Sequence, residues 1–170
     1  MRSRVRWILA FAMLALLIAA PASAAKPDRQ PFLNLDAVIP AGVACSGFDL
    51  GISFDAQKQT VTTFFDNEGN AVRPLVVGQL VIRLTNENTG ASLATQLGGA
   101  FHIYFNADGT LTFVGTGNSF LSLFPTDVPA GPTSTLYSGR LVFDVDPATG
   151  VFTLRDEARN KIDVCAALSG

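Results

Sequence analysis

The sequence predicts an all-β domain. Its expected form is an antiparallel meander of about eight strands that closes into an up-and-down β-barrel, with a two-sheet β-sandwich as the alternative. Three observations carry this. Short segments alternate apolar and polar residues between turns rich in Gly, Asn, Asp and Pro. Three hairpins close in register when their turns are counted. The only two cysteines, Cys45 and Cys165, bracket the strand-rich region.

The chain opens "MRSRVRWILAFAMLALLIAAPASAA". A positive start (Arg2, Arg4, Arg6), a 14-residue apolar run from Trp7 to Ala20 and the small-residue site Ala22-Ser23-Ala24 are the parts of a secretory signal peptide. The run is short of the roughly 20 residues that span a bilayer. Residues 1–24 are therefore expected to be removed and the rest exported to the extracellular space. Cleavage leaves 146 residues, one domain's worth, with nine Lys+Arg against 14 acids. The net negative charge argues against nucleic acid as a partner. No apolar run after residue 25 is long enough to cross a membrane. An even cysteine count in an exported chain predicts a Cys45–Cys165 disulfide.

Residues 25–45 are bounded by prolines and read as an irregular lead-in to a single β-domain over 46–170. Within it "FDLGISF" puts Phe48, Leu50, Ile52 and Phe54 on one face, and "LVIRL" does so for Leu80, Ile82 and Leu84. "FHIYF" aligns Phe101, Ile103 and Phe105, and "LVFDV" aligns Leu141, Phe143 and Val145. A four-residue loop, Glu87 to Gly90, pairs Leu84 with Leu93 and Leu80 with Leu97. A three-residue loop, Ala107 to Gly109, pairs Phe105 with Leu111 if Gly109 is left-handed. A loop of Pro147 to Gly150 pairs Phe143 with Leu154 and Arg140 with Glu157. A one-residue slip would turn every side chain to the wrong face, so this agreement is informative. Gly78 interrupts its strand and marks a bend or bulge. No segment reads as a long helix; "DEARNKIDVCAALSG" comes nearest.

"NSFLSLFPTDVPAGP", residues 118–132, is read as the longest connection. Its apolar cluster Phe120, Leu121, Leu123 and Phe124 is expected to cap one end of the core, or to rim an apolar cavity as a lid. His102 is the only histidine and is expected on the outer strand face. No catalytic residue, metal site or cofactor is expected. One histidine and paired cysteines offer no zinc cluster, and the glycines of "FVGTGNS" form no phosphate-binding motif.

"TNENTG", "FNADGTLTFVGTG", "LFPTDVPAGP", "GRLVFDVDPATGVF" and "DVCAAL", with the Ala-rich leader, resemble small secreted proteins of high-GC Gram-positive bacteria. The resemblance covers most of the chain after the leader and implies export but no activity. In strand count alone the domain also resembles eight-stranded barrels such as the lipocalins and the allene oxide cyclase group. The functional expectation is a secreted, non-enzymatic β-domain that binds a small apolar molecule or a protein partner. The alternatives are a barrel-type enzyme of isomerase or cyclase kind acting on an apolar substrate, and a structural cell-envelope protein.

Overall fold

A computed structural model of the chain describes residues 26–170; the leader expected over 1–24 lies outside the described residues. The fold is all-β. Ten antiparallel strands form one sheet: β1 (Asp28–Phe32), β2 (Ala37–Ile39), β3 (Leu50–Phe65), β4 (Ala71–Asn86), β5 (Ser92–Phe105), β6 (Leu111–Leu123), β7 (Thr133–Ser138), β8 (Leu141–Val145), β9 (Phe152–Asp156) and β10 (Asn160–Asp163). A five-residue helix, α1 (Val164–Leu168), ends the chain; the Asp163 carboxylate caps it by accepting from Ala166 N–H.

The predicted hairpin registers hold. Leu84 pairs with Leu93, Leu80 with Leu97, Phe105 with Leu111 and Phe143 with Leu154. Gly109 has φ +86°, as its three-residue loop requires. One pairing differs. A bulge between Val142 and Phe143 shifts the partner strand, so Arg140 meets Asp156 rather than Glu157.

Strand boundaries differ more. The lead-in is not irregular, because β1 and β2 both pair with β3. Pro31 of β1 is tolerated because β1 lies at the sheet edge. The strand of "FDLGISF" runs further than its alternation marks: β3 continues to Phe65 through a bulge at Asp55.

The expected closed barrel does not form; the sheet stays open, in line with the sandwich alternative. Its path runs β1-β3-β4-β5-β6-β7-β10, and no pair joins the ends. The reason lies in three glycines that sit side by side across the sheet. Gly78 of β4 pairs with Gly99 of β5, which pairs with Gly117 of β6. All three have positive φ (129°, 144° and 89°). At this line the sheet creases. β6 runs beside β5 only as far as the Gly98–Asn118 pair, while its other edge pairs with β8 and then β7 in one continuous register, from Leu111–Val145 to Leu123–Thr133.

The crease separates two cores. Core one gathers Leu50, Leu80, Ile82, Leu84, Leu97, Leu136 and Val164. Core two gathers Leu121, Leu123, Tyr137, Leu141 and Phe143, with Phe101, Phe113 and Phe152 packed against it. The Phe113 and Phe143 rings stack with centroids 5.0 Å apart. The far half of β6 is the wall between the cores: Phe120 packs on core one, Leu121 and Leu123 in core two. β7 repeats this with Leu136 and Tyr137.

Cys45 and Cys165 are disulfide-bonded, with Cα atoms 5.5 Å apart. The bond joins the 40–49 loop to α1 over core one, so it holds the chain ends together without strand pairing. Closing a loop of 120 residues restricts the unfolded chain by about 5 kcal/mol. Cys45→Ser is expected to lower the unfolding free energy by about 4–5 kcal/mol in a denaturant melt. Thiol titration of the unreduced, denatured wild type should find no free cysteine; two reactive thiols there would contradict the bond.

Candidate functional site

Residues 118–132 fall into two parts. Residues 118–123 belong to β6, and only 124–132 form a connection. Leu121 and Leu123 are buried, while Phe120 and Phe124 are half-buried against core one. The cluster therefore does not sit together on one rim; it is divided between two interiors. Asp127, which sequence reasoning missed, fixes the connection. It is 4% exposed, and its carboxylate accepts from Phe124 N–H and from Phe152 N–H (2.8 Å). Val128 N–H then donates to Phe152 C=O, and Leu154 N–H to Val128 C=O, so the connection extends the sheet beside β9. The signal for Asp127 was weak: an aspartate three residues after the amide it caps, between prolines.

His102 lies on the face opposite Phe101, as expected, but is half-buried. It sits in a row with Leu75 and Val114, and its Nδ1 is buried without a partner. Its ring stacks beside Tyr104 at 6.4 Å.

Ser119, Tyr137 and Lys161 lie in register across β6, β7 and β10. Burial pushes the Tyr137 hydroxyl above its ordinary pKa, and the Glu157 carboxylate adds to this. Tyr137 is thus held protonated rather than activated. Lys161 is paired with Glu157, which raises its pKa. Ser119 is buried and its hydroxyl has no partner. Within this row Ser119 and Tyr137 are buried and only Lys161, committed to Glu157, is exposed.

Two depressions mark the surface. One, about 300 Å³ and open to solvent, lies over β2 and β3 and is lined by Asp36, Val38, Ile52 and Glu87. The other, about 100 Å³, is a slot between β5 and β10 lined by Thr95, Leu97, Leu136 and Ile162. Ligand pockets for small molecules enclose roughly 300–1,000 Å³ and surround most of the ligand. Neither depression does this.

The surface that stands out is the part of the sheet beyond the crease. β1, the distal half of β3 and the first half of β4 form a three-stranded ribbon, joined to β5 where Leu75–Val77 pair with Ala100–His102. No described residue from Asp55 to Gln79 belongs to either core or packs against it. Yet this stretch carries Val61, Phe64, Phe65, Val72, Leu75, Val76 and Val77. Its tip is firmly built: Asp66 accepts from Glu68 N–H and Asn70 N–H, each at 2.9 Å. The bond from the Asn70 side chain, with these amides, holds the Asp66 carboxyl below the ordinary range. Arg73 lies over the Phe64 ring at 4.8 Å.

Next to the ribbon, "FLNLD" is inverted. Asn34 turns inward and bonds the Gln57 and Gln59 side chains, and Asp36 accepts from Phe54 N–H. Leu33 and Leu35 point outward, 70% and 86% exposed. Five of the ten large apolar side chains exposed among the described residues lie on this ledge or the ribbon, Phe32, Leu33, Leu35, Val72 and Val77, with Phe32 and Val77 on opposite faces of the sheet. Comparison with known proteins adds no guide, since no protein family, no curated protein and no solved structure matches the chain.

Asp127→Ala strands two buried amides and is expected to cost about 2–4 kcal/mol in a denaturant melt. Phe124→Ala, from a half-buried site, is expected to cost about 2–3 kcal/mol. A Phe124→Ala protein of unchanged stability but altered binding of an apolar dye would make residues 124–132 a lid instead of a cap.

Proposed function

We propose that the chain is an exported, non-enzymatic β-domain that binds a protein partner through the ribbon of β1, distal β3 and proximal β4. One observation carries this reading: the ribbon and its Leu33–Leu35 ledge spend apolar side chains where neither core uses them. Exposed apolar surface gathered in one region is characteristic of an interaction site. A preordered ribbon with a bonded tip also loses little conformational freedom on binding. The leader sequence, the disulfide and the resemblance to secreted proteins support export to an oxidising compartment. The packed cores and shallow depressions favour a protein partner over a small apolar ligand.

The test places a photo-reactive phenylalanine analogue at Val72, Val77 or, as a control, Thr153, in the exporting cell. Crosslinked adducts are expected from Val72 and Val77 and not from Thr153. The exported protein should start near Ala25 and lack tryptophan. Absence of ribbon adducts, or equal adducts at Thr153, would contradict the binding surface; retention of Trp7 in exported material would contradict cleavage.

A further inference from the structure

We propose that the open edge of β5 at Ser92–Gln96 is a second binding site, distinct from the ribbon, that takes an extended, uncharged peptide segment of a partner protein as an added strand.

The backbone is the first argument. β4 covers one edge of β5 as far as Ser92, whereas β6 covers the other only from Phe105 to Gly98. Residues 92–97 therefore keep one edge unpaired, and no turn or loop backbone bonds to it among the described residues. The Asn118 side-chain amide donates to the Gln96 C=O from that side, at 3.4 Å. Gln96 thus turns its backbone groups to the open edge. In an antiparallel strand the N–H and C=O of one residue point the same way and neighbours alternate. Ser92 and Ala94 present theirs with Gln96, and all three residues are exposed. A segment lying here continues the β5–β6 ladder past the Gly98–Asn118 pair. The matching stretch of β6, residues 119–123, runs instead among buried side chains between the cores.

This edge is also unguarded. Proteins blunt exposed edges with short strands, charges, proline or a covering loop. β1 carries Asp28, Arg29 and Pro31, β2 has three residues, β10 has four with Lys161 and Asp163, and Val128 covers β9. Residues 92–97 read "SLATQL", with no charge and no proline.

The slot supplies selection. It opens where β5 parts from β6, over buried Leu97 and Leu136, and is rimmed by Thr95, Asn118, Asn160 and Ile162. At about 100 Å³ it has room for one aliphatic side chain. Among its lining residues only Lys161 is charged, and Glu157 holds it. β7 and β10 wall the slot opposite β5. A single extended segment fits beside the edge, where the flank of another sheet would meet that wall. Strand addition takes affinity from main-chain bonds and specificity from a pocket for alternate side chains; edge and slot provide one of each.

The probe is the synthetic peptide acetyl-Thr-Val-Thr-Val-Thr-Val-amide, added to the purified, disulfide-bonded protein lacking residues 1–24. Amide hydrogen exchange and anisotropy of the labelled peptide are measured. In the free protein the amides of Ala94 and Gln96 are expected to exchange fast, and those of Leu93 and Thr95, which face β4, slowly. Saturating peptide is expected to slow Ala94 and Gln96 by about tenfold or more. The same peptide N-methylated at alternate residues should not bind. Ala94→Pro removes one edge N–H without touching the β4 ladder, and Ile162→Arg puts a charge at the slot. Each is expected to weaken binding by about tenfold, Ile162→Arg with the melting temperature unchanged because Ile162 is exposed. Unchanged exchange at Ala94 and Gln96 in millimolar peptide would overturn the site, as would binding that survives both substitutions. Slow exchange at these amides in the free protein that quickens on dilution would give the edge to a second copy of the chain and overturn the peptide as its occupant.

Discussion

A line of three glycines sets the architecture. Gly78, Gly99 and Gly117 lie side by side across β4, β5 and β6, each at a φ that side-chain-bearing residues avoid. Each is also closely approached by a neighbouring backbone. A Cβ on Gly78 would run into the Lys58 carbonyl oxygen, one on Gly99 into that of Thr116, and one on Gly117 into that of Gly98. With no side chains at the line, the strands can approach and turn together. Everything downstream depends on that turn. Beyond it β6 loses β5 and passes between the two cores, and the remainder of β3 and β4 continues outside both cores with β4 still paired to β5 at Leu75–Val77.

This division of labour explains the surface. The part of the sheet on one side of the crease is covered by β7, α1 and the disulfide-bonded 40–49 loop, which complete core one. Core two is completed by β8 and β9, whose Phe152 N–H is bonded to the buried Asp127. The ribbon contributes to neither core, and although Thr62 is buried and Val61, Phe64, Phe65, Leu75 and Val76 are half-buried, Val72 and Val77 stay exposed. Its apolar residues are therefore better understood as a binding surface than as a third core.

Much of this was legible in the sequence, and the reasons for the rest are specific. Alternation and turn chemistry gave the hairpins, because the registers at Leu84–Leu93, Phe105–Leu111 and Phe143–Leu154 follow from local counting. The cysteine pair followed from their number. Residues 118–123 were read as a connection because a strand buried on both faces shows no alternation: Phe120 and Leu121 face different cores. Barrel closure was inferred from the disulfide, but a disulfide constrains two residues and not the strands beside them. Gly78 was recognisable as a bend; its alignment with Gly99 and Gly117 was not, since it depends on two registers at once. Asp127 and the inverted "FLNLD" needed partners that lie 25 residues or about 23 residues away.

The central claim is that the crease requires glycine at this line. The most direct measurement is the unfolding free energy of Gly99→Ala and Gly117→Ala, with Gly109→Ala as the reference for a glycine of positive φ whose Cβ would meet nothing. The account predicts a loss of about 1 kcal/mol for Gly109→Ala and about 3 kcal/mol or more, or failure to fold, at Gly99 and Gly117. Losses at Gly99 and Gly117 no larger than at Gly109 would show that the sheet does not crease there, and the two-core arrangement built on it would fall.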